Sequence, residues 1–231
     1  MLSIIVPTYN EENTILDLLI HLSEDIGTSD ELLVVDGGSS DKTVSLVEEH
    51  GFTCLKSPRK GRAAQMNYGA EQSSGKVLYF VHADTTPPST FRDDIEEAIS
   101  NGFKSGCYRY RFDINHPLLK INAYCTRFDR LMCRGGDQTL FITRKLFEDL
   151  GGFREDYMIM EDYDLIQKIQ SCAGFRIIPK NATVSARKYD HNGYFRVNFA
   201  NLVIFMMYFA GLSQETMVHA YKNLIVHPKF D

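Results

Sequence analysis

"ELLVVDGGSSDKT", residues 31–43, sets out the pattern on which the first half of the chain is built. An apolar run, Leu32 to Val35, reads as a buried strand and stops on Asp36. Two glycines turn the chain, and serine and aspartate stand where they can cap a helix carrying Val44 and Val47. Upstream, "LSIIVPTY" (residues 2–9) is another short β-branched run. Asn10 then begins a predicted helix with Ile15, Leu18, Leu19 and Leu22 on one face. Downstream, the weaker run "FTCLKS" (52–57) leads through a basic turn, "PRKGR" (58–62), into the helix "AAQMNYGAEQ" (63–72), and then comes "KVLYFVHAD" (76–84). Strands alternating with helices predict right-handed βαβ units, hence an α/β fold with a mostly parallel central sheet flanked by helices. In such sheets ligands bind beyond the carboxyl ends of the strands.

The second half is more irregular. "GCYRYRFD" (106–113) alternates like a strand with one wet face, and "LLKINAYCTRFDRLM" (118–132) has helical periodicity. "TLFITRKLFEDLGGF" (139–153) reads as strand, helix and glycine stop; "EDYDLIQKIQSC" (161–172) as a helix; "FRIIP" (175–179) and "TVSARKY" (183–189) follow it. No internal repeat, low-complexity segment or linker interrupts the 231 residues. A single domain over 1–231 is therefore expected, with a nucleotide-type first half at 1–105 and a more irregular second half with C-terminal helices at 106–231.

Composition bounds the function. Apolar residues make up 44% of the chain and charged ones 24%, and the net charge is −5. That balance argues against a protein that grips nucleic acid by bulk electrostatics, so a phosphate must be bound locally. Cys54, Cys107, Cys125, Cys133 and Cys172 show no CxxC spacing, which predicts a reducing compartment and no zinc site. Met1 leads straight into the first strand without a basic n-region, so no signal peptide is expected. The apolar stretch at 199–212 is shorter than the roughly 20 residues of a spanning helix. It reads first as a core helix, with a membrane-surface or partner-facing helix as the alternative. The basic stretch "KYDHNGYFR" (188–196) reads equally as a solvated loop.

Carboxylates fall where strands should run out: Asp36, Asp84 and, later, Glu161 with Asp162. A carboxylate directly after "LLVV", or beyond "YFV" with two residues between, would be poorly solvated in a continuing strand, so the strand ends there and the acid faces the ligand edge. Each alone reads equally as a turn or helix cap; two strands of one sheet ending alike favour a site.

These pieces in order, "SIIVPTYNEE", "LLVVDGGSSDKT", "KGRAAQMNYGA", "VHADT", "GDQTLFITRKLFEDLGGF" and "MEDYDL", resemble the family 2 glycosyltransferases of GT-A fold. Within that family, the "HADT" and "GDQ" forms resemble a small bacterial subgroup. The resemblance implies that Pro7, Thr8, Tyr9 and Glu11 lie along the base and ribose of a nucleotide, probed on its base by Asp36. It implies that Lys60, Gly61, Arg62 and Asn67 line the nucleotide pocket beside His82 and Ala83. Asp84 matches the last aspartate of the family's DxD motif, the ligand of a divalent metal; His82 stands where the first aspartate would be. Asp162 matches the catalytic base, with Glu161 ordering the loop or the acceptor. Gly136, Asp137, Gln138 and Arg187 fall in donor-sugar, acceptor or diphosphate positions.

The chemistry asks for the same parts. A departing nucleoside diphosphate needs its charge offset, as Mg²⁺ or Mn²⁺ would do, and an acceptor hydroxyl needs a base. The expected activity is inverting, metal-dependent transfer from a nucleotide-sugar, with UDP the expected carrier, to an acceptor hydroxyl, a lipid-linked acceptor among the candidates. The expected location is cytoplasmic, at the inner membrane face if the C-terminal helices meet lipid; those helices equally suit a homodimer. Competing readings are nucleotidyl transfer to a sugar phosphate and an inactive nucleotide-binding module. The absence of glycine from the turn "PTYNEE" counts against the former, and the intact Asp36, Asp84 and Asp162 against the latter.

Overall fold

The computed structural model describes residues 1–135 and 138–226. Four strands open the chain: β1 (Leu2–Thr8), β2 (Glu31–Asp36), β3 (Thr53–Lys56) and β4 (Val77–Phe80). They pair in parallel in the order β3-β2-β1-β4. Parallel neighbours need crossovers, and helices α1 (Ile15–Ser23), α2 (Thr43–Glu49) and α3 (Arg62–Gln72) supply them. The sheet then becomes mixed. β5 (Thr85–Thr86), β6 (Ser105–Phe112), β7 (Leu140–Thr143) and β8 (Phe175–Val184) extend it in the order β4-β7-β6-β8-β5. Only β6 and β8 are parallel among these added pairs.

The sheet is covered on both faces, and the period of two along each strand decides which side chain goes where. Ile4, Val6, Val34, Tyr79, Val81 and Phe141 point to one face, against Ile15, Leu19 and Leu22 of α1 and Phe91 and Ile95 of α4 (Phe91–Ser100). Ile5, Val35, Leu78, Phe80, Leu140 and Ile142 point to the other. There they meet Ala63, Met66 and Ala70 of α3, Leu146 and Phe147 of α6 (Arg144–Asp149) and Leu165 and Ile169 of α7 (Glu161–Cys172). Between β6 and α6 lies α5 (Pro117–Cys125).

Three local readings change. The first helix starts at Ile15, because Asn10 is left-handed at φ 52° and residues 11–14 form a turn in which Thr14 and Ile15 donate to Glu11 O. "FRIIP" and the first two residues of "TVSARKY" share one ten-residue strand. Its register slips between Ile178 and Asn181, where Pro179 has no N–H to give the ladder. The stretch 188–196 is helical, shared between α8 (Arg187–Asn192) and α9 (Tyr194–Phe209), with Gly193 turning the chain between them.

The apolar stretch at 199–212 is helical as far as Phe209, within α9, and that helix meets the core on one side only. Val197, Ala200 and Ile204 of α9 are buried, while Phe199, Leu202, Met206 and Phe209 stay exposed and Phe195 is 77% exposed. No helix among the described residues is long and apolar enough to cross a membrane.

Candidate active site

Because β1, β2, β3 and β4 run parallel, their carboxyl ends emerge along one edge, and the candidate residues follow directly. Asp36 is the last residue of β2 and is buried. Its carboxylate accepts the backbone N–H of Gly38 at 2.8 Å and of Ser39 at 3.0 Å, so it holds the "DGGS" turn. Gln65, on α3, donates through Nε2 to Thr8 O and to Val35 O, both at 2.7 Å, and sews the ends of β1 and β2 together. That buried glutamine carried no signal in the sequence; an amide with both ends of two strands to satisfy is visible only in the fold.

At the end of β1, Pro7 and Thr8 are buried, and Thr8 Oγ1 has no hydrogen-bond partner among the described residues. Tyr9 emerges at 38% exposure. Glu11 is buried and receives both outer nitrogens of Arg187, Nη1 at 2.8 Å and Nη2 at 2.7 Å. Arg187 Nη2 also donates to Asp84 Oδ2 at 2.8 Å. The topology explains this meeting. Asp84 lies between β4 and the two-residue β5, β5 pairs with the end of β8, and Ser185 N donates to Asp84 O at 3.1 Å. Arg187 follows two residues later. His82 and Ala83, just before Asp84, are both buried, and His82 O accepts from Thr85 N, which tightens the turn.

The basic turn reaches the other pair of acids. Gly61 has φ 112°, a conformation that glycine alone adopts readily, and α3 begins immediately after it. Arg62 then donates through Nε to Glu161, and its Nη2 lies 3.6 Å from Asp162 Oδ2. Both acids open α7, where the positive end of the helix dipole favours anions. Met160, just before them, is left-handed at φ 67°, which turns the chain into the helix. Glu161 and Asp162 are buried, and Glu161 Oε2 has no hydrogen-bond partner among the described residues. Lys60 is exposed at the same turn.

Other predicted residues are placed differently. Asn67 spends its amide on the loop after α6: Nδ2 donates to Phe153 O at 2.9 Å and to Glu155 Oε1 at 3.0 Å, and Oδ1 accepts from Phe153 N. Gln138 is buried, and its Nε2 has no hydrogen-bond partner among the described residues. Gly136 and Asp137 lie outside the described residues. Arg134, which the sequence reading passed over, is buried with Nη1 3.0 Å from Cys107 Sγ and Nη2 on the carbonyls of Thr126 and Phe128.

One carboxylate oxygen suits a hard cation. Asp84 Oδ1 takes no hydrogen bond from the described residues, and the side chain is 30% exposed. Among the described residues no group of three or more His, Cys, Asp and Glu converges on a metal position. A divalent ion at Asp84 therefore fits only with most of its oxygen ligands drawn from phosphate and water, the usual habit of Mg²⁺.

The model of the family described as "Glycosyl transferase family 2" matches residues 3–176. The chain is 26% identical over 196 residues to a probable glycosyltransferase, YdaM, of Bacillus subtilis (strain 168), covering 72% of this chain and 46% of that protein. The chain thus spans about half the length of that curated relative. Among solved structures it resembles a mannosyltransferase, PcManGT, from Pyrobaculum calidifontis in complex with GDP-Man and Mn²⁺. That TM-score is 0.68 at 22% identity, over 96% of this chain and 69% of that one. It also resembles residues 1–349 of S. aureus TarS in complex with UDP-GlcNAc, with TM-score 0.67 at 19% identity, over 96% of this chain and 71% of that one. At such identities the likeness is one of fold, and the fold is GT-A.

Proposed function

From the premise that the chain belongs to glycosyl transferase family 2, we propose that it transfers a sugar from a nucleotide-sugar donor to an acceptor hydroxyl with inversion at the anomeric carbon. UDP is the proposed nucleotide, and a divalent cation is the proposed cofactor. The observation that supports this reading is the placing of distant acids past the carboxyl ends of the parallel strands, bridged in two groups by Arg187 and Arg62. Asp36 and Glu11 stand at the ends of β2 and β1, Asp84 follows β4, and Arg62 ties the Glu161–Asp162 pair to the turn before α3.

In this reading the strand-end turns, Tyr9 and Asp36 receive the nucleoside, and Arg187 faces the diphosphate. Asp84 would hold Mg²⁺ or Mn²⁺, which when bound offsets the charge of the diphosphate. Asp162 takes the proton of the acceptor hydroxyl. The oxygen then bonds to the anomeric carbon from the side opposite the diphosphate, and the bond from that carbon to the phosphate oxygen breaks with its electron pair leaving on the diphosphate. Arg62 holds Glu161 and flanks Asp162, positioning the base at the mouth of α7. The acceptor is proposed to be lipid-linked, and the exposed apolar stripe of α9 supports an encounter at a lipid surface.

The deciding experiment combines a nucleotide-sugar binding screen with Asp162→Asn. UDP-sugar binding is expected to survive the substitution, while transfer falls by about 10²–10⁴-fold, the usual worth of a general base. Transfer by Asp162→Asn at the wild-type rate would remove Asp162 from its role. Release of pyrophosphate from UTP and a sugar phosphate would favour nucleotidyl transfer instead.

A further inference from the structure

Arg187 is committed to two carboxylates at the place where the donor reading puts a diphosphate and a cation. Its outer nitrogens fork onto Glu11 at 2.8 and 2.7 Å, and Nη2 uses its second N–H on Asp84 Oδ2 at 2.8 Å. Glu11 is buried, whereas the Arg187 side chain is 38% exposed and that of Asp84 30% exposed. The hydrogen bonds to Glu11 raise the guanidinium pKa against the opposing effect of burial, and Asp84 adds to the rise, so the group is a permanent cation.

Two contacts of unequal depth make the arrangement exchangeable. The bidentate fork on a buried acid is the stronger and more directional, and the single bond to the accessible Asp84 is the weaker. A dication on Asp84 Oδ1 and a guanidinium on Oδ2 of the same carboxylate repel one another, so each weakens the other's hold. We propose that Arg187 is an exchangeable counter-cation of the donor site. In the free protein it neutralises Asp84; when donor binds, it pivots on Glu11, gives Asp84 up to a divalent cation and turns the released N–H to a diphosphate oxygen. This rests on the donor-site reading for the identity of the diphosphate, but the competition for Asp84 stands on the contacts alone.

The test measures Mn²⁺ binding without nucleotide, from the spin-resonance signal of free Mn²⁺, in the full chain and in Arg187→Met. The methionine keeps an unbranched apolar stem and removes the charge. The variant is expected to bind Mn²⁺ about tenfold more tightly, and to bind UDP in EDTA about tenfold more weakly, as the loss of one charge-assisted contact implies. Equal or weaker Mn²⁺ affinity in a folded Arg187→Met, or no Mn²⁺ binding by either protein, would overturn the proposal. Should Arg187→Met fail to fold, Arg187→Lys serves. An ammonium cannot fork onto Glu11 while reaching Asp84, so Mn²⁺ affinity should again rise, by a smaller factor, and an unchanged affinity overturns the proposal equally. Absence of UDP binding by the wild-type chain, with Mn²⁺ and without, is a separate result: it sinks the donor-site reading and leaves the Mn²⁺ comparison to judge Arg187.

Discussion

Single residues in this protein act by satisfying several partners at once, and Asp30 shows what that implies for pH. It lies in the turn before β2, where its carboxylate accepts from Leu2 N at 2.8 Å, Gly27 N at 2.9 Å and Arg92 Nε at 2.8 Å. Burial alone would raise its pKa, but the hydrogen bonds from Leu2, Arg92 and Gly27 outweigh burial and hold the carboxyl below the ordinary range. A carboxyl lowered in the folded state stabilises the fold above its unfolded pKa, about 3.9, and that contribution is lost as pH falls through the folded value. Asp30→Asn should therefore be less stable than wild type at pH 7, with the gap closing below about pH 4. Urea midpoints at pH 7 and pH 3 would check this; a gap that stays constant would show that the carboxylate charge is not what holds the turn. The same scale separates what could be read beforehand. Asp36 and Asp84 were legible because an apolar run ends on the one and just before the other. The partners of Glu11 and Glu161 were not, since Arg187 and Arg62 lie 176 and 99 residues away.

Among the elements, α9 departs furthest from a soluble amphipathic helix. At 100° per residue, Phe195, Phe199, Leu202, Met206 and Phe209 fall in one stripe along its outer side, and Val197, Ala200 and Ile204 fall opposite and are buried. The stretch is apolar on both sides, so composition alone pointed to a core helix. Only the placement of α9 at the molecular surface revealed that one of its two apolar sides has no covering layer among the described residues. A contiguous exposed stripe of this kind marks an interaction surface. Phe199→Ser with Phe209→Ser should leave the thermal midpoint nearly unchanged, since exposed substitutions usually fall within about ±0.5 kcal/mol. If the acceptor is lipid-linked, as proposed, the pair should also abolish most co-sedimentation with phospholipid vesicles. Undiminished vesicle binding by the folded double variant would disconnect the stripe from lipid.

At the scale of the whole molecule, the two apolar clusters lie on opposite faces of one sheet and share its strands residue by residue. Ile4 and Val6 belong to one cluster and Ile5 to the other; Tyr79 alternates with Leu78 and Phe80 in the same way. Neither half of the chain can lose its strands without uncovering both clusters, so we propose that the chain, 1–231, forms one cooperative unit. Far-UV dichroism and tyrosine fluorescence should follow a single denaturation curve. Two separated transitions would divide the molecule into independent halves.

What the amino-acid sequence determined by itself is the part governed by neighbours along the chain. Apolar runs of strand length, the turns after Asp36 and Asp84, and the acidic start of α7 follow from burial, backbone sterics and helix polarity acting over a few residues. The parallel direction of the first strands belongs here too, because the intervening crossover helices leave little choice. Only the tertiary structure decided that β7 returns antiparallel beside β4, that Pro179 shifts the β8 register, and that Arg187 arrives on Asp84 through the β5–β8 pairing. Contacts between residues so far apart carry no periodicity or spacing in the chain. They come into being when strands choose partners across the sheet, and that choice is made by the packing of the whole.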